Sequence, residues 1–252
     1  LCISSQVGCA LGCTFCASGL AGLSRNLTAG EIVDQVIRVR QLAPDRDINN
    51  IVLMGMGEPL ANYDQVMRAI RIINAPWGLG VGARRITVST SGLAPRILKL
   101  SKEGIQFELS ISLHGADDRT RTTIMPINKR YPLRELMDAC SRYVDATNRI
   151  ITFEYILLDG VNDRFEDARN LVDLLRNLKC KVNLIPYNPV EGLPYSTPDQ
   201  GRQQAFYEAV MSGGVAVTIR RERGRDIDAA CGQLRLKQPG HPARAAAPKT
   251  SG

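Results

Sequence analysis

Aromatic residues are scarce, only 5% of the chain, so there is little sign of a ring-studded platform on which single-stranded bases would stack. Long apolar runs are missing as well: none approaches the roughly 18 residues of a membrane-spanning helix. The opening Leu1-Cys2-Ile3-Ser4-Ser5 lacks the basic and apolar segments of a secretory signal. It also lacks an initiating Met, which reads as a fragment missing its N-terminal part. No internal repeat is found. Seven cysteines are an odd number, which argues against a complete disulfide framework.

What is present fits a globular protein of the cytoplasm. The hydrophobic share is 44% and the charged share 23%, the balance of a soluble domain. At 252 residues the chain is long for one average domain but ordinary for an α/β barrel. Lys and Arg number 32 against 25 Asp and Glu, a net charge of +7, compatible with a phosphate-rich partner.

Strand-like and helix-like segments alternate. Thr28-Ala29-Gly30-Glu31 has the form of a capping box ahead of an apolar-periodic helix. Strands are expected at Ile51–Met54, Arg85–Ser89, Phe107–Ser112, Ile150–Leu157, Val182–Ile185 and Val215–Arg220. Helices are expected at Tyr63–Ile73, Leu133–Ala146, Phe165–Leu178 and Gln203–Met211. Strand then helix, repeated, makes a parallel sheet with helices outside. The fold class is therefore α/β, a partial (β/α)6-type barrel with extra C-terminal strands. The barrel should occupy residues 1–236, and the Pro- and Ala-rich residues 237–252 should be a disordered tail.

Several strands carry a polar stripe. Phe107, Leu109, Ile111 and Leu113 share one face, and Glu108, Ser110, Ser112 and His114 the other. Thr87 and Ser89 oppose Ile86 and Val88, and Thr152 falls with Glu154. Strands buried on both faces normally read as continuous apolar runs, so the stripe implies a lumen that holds something polar. Hydroxyls bonding one another inside a barrel would give the same pattern.

Four cysteines, Cys2, Cys9, Cys13 and Cys16, crowd into the first 16 residues. Cys9, Cys13 and Cys16 form C-x3-C-x2-C, which can hold three irons of a cubane and leave the fourth free to chelate a small molecule. A structural zinc site with Cys231 as fourth ligand is the competing reading. In that case the chain would be a zinc-stabilised RNA-binding module without catalysis. Cys140, in phase with Leu133, Leu136 and Met137, and Cys180 read as core residues.

Cys9-Ala-Leu-Gly-Cys13-Thr-Phe-Cys16 resembles the radical S-adenosylmethionine (SAM) signature. Cys2-Ile-Ser-Ser-Gln-Val-Gly-Cys9, Met54-Gly-Met-Gly57-Glu58-Pro59-Leu60, Ser89-Thr-Ser91-Gly92, Ser112-Leu113-His114, Met125-Pro-Ile-Asn128, Asn183-Leu-Ile-Pro-Tyr-Asn188-Pro189 and Asp226-Ile-Asp-Ala-Ala-Cys231-Gly-Gln-Leu234 together resemble the RlmN/Cfr family of RNA methyltransferases. They follow the family's order over residues 2–234.

The resemblance implies a [4Fe–4S] cluster on Cys9, Cys13 and Cys16, and SAM contacts at Gly57, Glu58, Ser89, Ser112, Leu113, His114 and Asn188. The side chains suit those contacts, since Glu58 can accept from SAM's ammonium and Ser89 can hydrogen-bond its ribose. It further implies two SAM molecules per turnover: one methylates Cys231, and the other, cleaved at the cluster, activates that methyl for addition to an adenine carbon. Cys2 would then remove the ring proton and form a transient disulfide with Cys231. The expected product is 2-methyladenine in 23S rRNA, with tRNA a further substrate. Pro59 resembles the carbon-2 group; the alternative is carbon 8, the target of the resistance enzymes. The resemblance also implies an electron donor such as flavodoxin or ferredoxin, a monomer, and an N-terminal accessory domain absent from this chain. Arg84, Arg85, Arg220, Arg221, Arg223 and Arg225 are candidate phosphate contacts.

Overall fold

The structure, a computed structural model, describes residues 1–20 and 22–220. The chain opens with an antiparallel hairpin, β1 (Gln6–Gly8) and β2 (Leu23–Asn26), with the short α1 (Ala17–Leu20) between them. Then come α2 (Ala29–Leu42), β3 (Ile51–Leu53), α3 (Tyr63–Asn74), β4 (Ile86–Thr90), α4 (Ala94–Leu100), β5 (Glu108–Ser112), α5 (Asp118–Ile124) and α6 (Leu133–Thr147). The remaining elements are β6 (Ile151–Leu157), α7 (Phe165–Leu175), β7 (Cys180–Pro186), α8 (Gln200–Ser212) and β8 (Val217–Ile219).

Strands β3 to β8 pair in chain order and all in parallel, as strand-helix alternation requires. The result is the expected α/β partial barrel, open rather than closed. Its β3 edge is extended by the N-terminal segment, where Ile3 N donates to Val52 O (2.9 Å) and Val52 N to Leu1 O (2.8 Å). The capping box at the start of α2 forms as read: Thr28 Oγ1 accepts from Glu31 N (3.2 Å) and Glu31 accepts from Thr28 N (2.9 Å).

Register explains the polar stripe. Ile86, Val88, Leu109, Ile111, Phe153 and Tyr155 point outward beneath the helices and are fully buried in one core. The alternate positions line up across the sheet as Ser89↔Ser110↔Thr152 and Ser112↔Glu154↔Asn183, so the hydroxyl and carboxyl groups share the inner face. Glu108, one row lower, is compensated by Arg149. Cys140 is fully buried in the core, and Cys180 is half-buried against it at the start of β7.

The hairpin, α4 and α5 were not legible in the sequence. Every residue of β2 is exposed, which leaves no alternation to read. In α5, Asp-Arg-Thr-Arg-Thr-Thr-Ile, only Ile124 is apolar; the helix is started by Asp117, whose Oδ1 accepts from Thr120 N (2.8 Å). The expected extra C-terminal strands, the tail over 237–252 and the boundary at residue 236 lie outside the described residues.

Candidate active site

The C-terminal ends of the sheet strands and the cysteine loop surround one open cavity of about 870 Å³, solvent-open space included, at the end of a barrel where sites are built. Cys9, Cys13 and Cys16 line it from the loop after β1. Gly57 and Glu58 reach it from the loop after β3, Ser89 and Ser91 from β4 and its end, and Ser112 and His114 from β5 and its end. Glu154 and Arg220 complete its polar wall, while Phe15, Met125, Ile156 and Ile185 give it an apolar side.

The cysteine loop is held by backbone bonds. Cys9 N donates to Gly22 O (2.9 Å), and Thr14 N donates to Ile124 O at the end of α5 (3.0 Å). Gly8 adopts φ +79, and a Cβ there would lie 1.9 Å from Gly22 O, so only glycine lets the hairpin close. Burial pushes the Cys9 and Cys13 thiols up, and the neighbouring Cys16 and Glu58 add to it. Such thiols give up their protons only to a cation that replaces them, which is what iron supplies. Among the described residues no three His, Cys, Asp or Glu side chains converge on a point that would suit a single metal ion. A cubane makes a different demand, one thiolate for each of three irons, and the three cysteines facing one cavity meet it.

Glu58 is buried and its carboxylate is oriented by donors alone. Ser91 N (2.8 Å) and Ser91 Oγ (2.7 Å) donate to one oxygen and Leu60 N (2.9 Å) to the other. Desolvation raises its pKa, and these bonds oppose the rise. Gln6 Oε1 accepts from Glu58 N (2.8 Å), and Gly57, at φ +99, has no room for a Cβ because the Gln6 side chain lies 2.5 Å from where it would sit. An acceptor-only carboxylate at the cavity wall is suited to an ammonium ligand.

His114 sits in the left-handed region at φ 56. Asn162 Nδ2 donates to its carbonyl (2.7 Å), and its Nδ1 accepts from Ile156 N (3.0 Å). That bond fixes the tautomer: the proton is on Nε2. Burial, and secondarily the charge of Arg121, push its pKa down to about 3, so the ring is a neutral donor. Phe15, the aromatic residue of the cysteine motif, meets it edge-on at 5.1 Å between centroids.

Other expected positions fall differently. Leu113 turns its side chain into the core; its N–H donates to Glu154 O (3.0 Å) and its carbonyl accepts from Arg121 (3.0 Å), so it offers the cavity no free group. Asn188 is buried after β7 outside the cavity lining, and its Oδ1 has no hydrogen-bond partner among the described residues. Cys2 is exposed and bridges Val52 on β3, away from the cavity lining; no disulfide forms among the described cysteines. Cys231, Arg221, Arg223 and Arg225 lie outside the described residues. Arg84 and Arg85 are exposed at the start of β4, the opposite end from the cavity, because they precede the strand instead of following it. Ser91, Arg121, Glu154 and Asn162 were not singled out as site residues; Ser91 was visible only within a quoted motif and Glu154 only in the polar stripe.

The radical SAM superfamily model matches residues 3–175. The chain belongs to the radical SAM superfamily. Within it, the chain is 56% identical over 246 residues to a protein of Opitutus terrae named probable dual-specificity RNA methyltransferase RlmN 3, covering 94% of this chain and 66% of that one. It is 52% identical over 239 residues to a protein of Thermoanaerobacter sp. (strain X514) named probable dual-specificity RNA methyltransferase RlmN, covering 94% and 68%. The crystal structure of a radical SAM methyltransferase from Sphaerobacter thermophilus superposes with TM-score 0.91 at 52% identity, over 93% of this chain and 69% of that one. The chain thus spans about two thirds of these relatives. Superfamily membership implies a [4Fe–4S] cluster and SAM, and the cysteine trio and the acceptor-only Glu58 fit both.

Proposed function

We propose that this chain is the catalytic part of a radical SAM methyltransferase that methylates carbon 2 of an adenine in RNA. The observation that carries the proposal is convergence: three cysteines, an ammonium-accepting carboxylate and a fixed imidazole donor face one cavity at the barrel's C-terminal end. Relatives named RlmN at 50–56% identity support the substrate class. When bound, the cluster supplies the electron that cleaves SAM reductively.

The chain's own residues would divide the chemistry as follows. Cys9, Cys13 and Cys16 hold the cluster. Glu58 orients the ammonium of SAM, Ser89 and Ser112 its hydroxyls, and His114 Nε2–H an acceptor atom. Cys231 would carry a methyl group on sulfur, delivered by a first SAM, so that a second can be used to activate it. Cys2 would take the proton from the methylated ring carbon and resolve the enzyme–RNA bond by pairing with Cys231. Arg220, which lines the cavity and whose charge acts on Glu154, would meet a phosphate of an RNA drawn toward the site. We assign 23S rRNA as substrate with tRNA second, a flavodoxin- or ferredoxin-like electron donor, a monomeric state and a cytoplasmic site of action.

The deciding experiment is mass spectrometry of Cys231 after anaerobic incubation with SAM. A methyl group on that sulfur, absent from Cys231→Ala, is expected; an unmodified Cys231 with intact SAM cleavage would reassign the enzyme to another substrate. Nucleoside analysis of treated RNA separates 2-methyladenosine from the 8-methyl isomer.

A further inference from the structure

Arg121 heads the fully buried side chains by size, yet no salt bridge to it forms among the described residues. A buried guanidinium without a counter-ion is costly. Its donors are satisfied by neutral oxygens: Nε donates to Leu113 O (3.0 Å), Nη2 to Ser91 O (2.7 Å) and Ser112 O (3.4 Å), and Nη1 to Asn128 Oδ1 (2.7 Å). Carbonyl dipoles solvate the charge directly, while the Asp118 carboxylate acts on it through Asn128, whose Nδ2 donates to Asp118 Oδ1 (2.8 Å). The surrounding loops are shaped for it. A Cβ on Gly92 would come within 3.2 Å of Nη2, and one on Gly115 within 2.9 Å of the Arg121 backbone.

The helix that carries Arg121 joins the two halves of the site. At its end, Ile124 O accepts from Thr14 N, between Cys13 and Cys16. One turn earlier, the guanidinium grips the loops after β4 and β5, which bear Ser91, the partner of Glu58, and His114. Burial dominates the rise of the Cys13 thiol, and the charge of Arg121 opposes it.

We propose that Arg121 is a positioning residue whose guanidinium is the counter-ion of the cluster site and the clamp that sets the Ser91, Ser112 and His114 loops against it. The inference rests on the cluster-bearing reading above. A cubane with three thiolates is anionic, and accepting one electron from a reductant makes it more so; a fixed cation nearby favours the reduced form.

The test uses the full chain, reconstituted anaerobically as wild type, Arg121→Lys and Arg121→Met. The readouts are iron and sulfide content, the cluster's midpoint potential by dithionite titration followed by electron paramagnetic resonance, and SAM affinity by equilibrium dialysis. Arg121→Met should have a lower midpoint and weaker SAM binding. Arg121→Lys should keep a midpoint near wild type, yet bind SAM about tenfold more weakly, the equivalent of one lost hydrogen bond, because an ammonium cannot span three carbonyls. Equal midpoints in the Lys and Met variants, or wild-type SAM affinity in both, would overturn the proposal. If Arg121→Met fails to fold, wild-type affinity in Arg121→Lys overturns it alone. A wild type that takes up no cluster defeats the functional reading and this inference with it. Cluster-bearing variants indistinguishable from a cluster-bearing wild type defeat only the role of Arg121.

Discussion

Replacing Asn162 with Leu tests how the site holds His114 in place. Asn162 is fully buried, and its side chain makes three hydrogen bonds: Nδ2 to His114 O and to Ile156 O, both at 2.7 Å, and Oδ1 from Leu158 N at 2.8 Å. Leucine has a similar volume but no polar atoms, so two carbonyls and one N–H would stay buried without partners. Each lost pairing costs about 1–2 kcal/mol, and added apolar burial returns about 1–2, for a net loss of about 2–4 kcal/mol. His114 is also held in the left-handed region, a conformation that itself costs about 1–2 kcal/mol in a non-glycine residue. Without the clamp that strain is released, and the imidazole should leave its position. Urea denaturation of the cluster-free protein measures the first effect, and SAM affinity of the reconstituted protein the second. A stability loss below about 1 kcal/mol with unchanged SAM affinity would refute the reasoning.

Protonation should reveal the same histidine. The unfolded chain binds a proton on it as pH falls through 6.5, the folded chain only near 3, so the contribution of His114 to stability is complete above 6.5 and lost as pH drops toward 3. Between pH 7 and 5 the loss is about 2 kcal/mol, read as the difference in urea midpoint slope between wild type and His114→Gln; parallel slopes would contradict a neutral buried ring. Glu58→Gln should lose about 1–3 kcal/mol and most SAM affinity, because an amide NH2 would face the N–H of Leu60 or the Ser91 donors; thermal unfolding and equilibrium dialysis check both. Gly57→Ala should cost about 1–3 kcal/mol, from the positive φ and the Gln6 side chain in the way of a Cβ; a wild-type melting temperature would show that the loop relaxes freely.

The barrel and its chemistry were legible because both depend on short-range pattern. Alternation at Phe107–His114 marks a two-faced strand, and C-x3-C-x2-C is compact enough that spacing alone selects a few possible groups. Glu58 and His114 were readable as types in motifs, but their states were not. Only the fold shows that Ser91 helps aim one carboxylate, or that Ile156 fixes a tautomer, since these partners come from other strands. Arg121 was hidden most completely. In Asp-Asp-Arg-Thr-Arg-Thr-Thr it looks like part of a solvated turn, and sequence patterning has no term for a cation surrounded by carbonyls from three loops. Local periodicity determines which face of each element is apolar; which polar group ends up buried, and against what, is set by long-range packing.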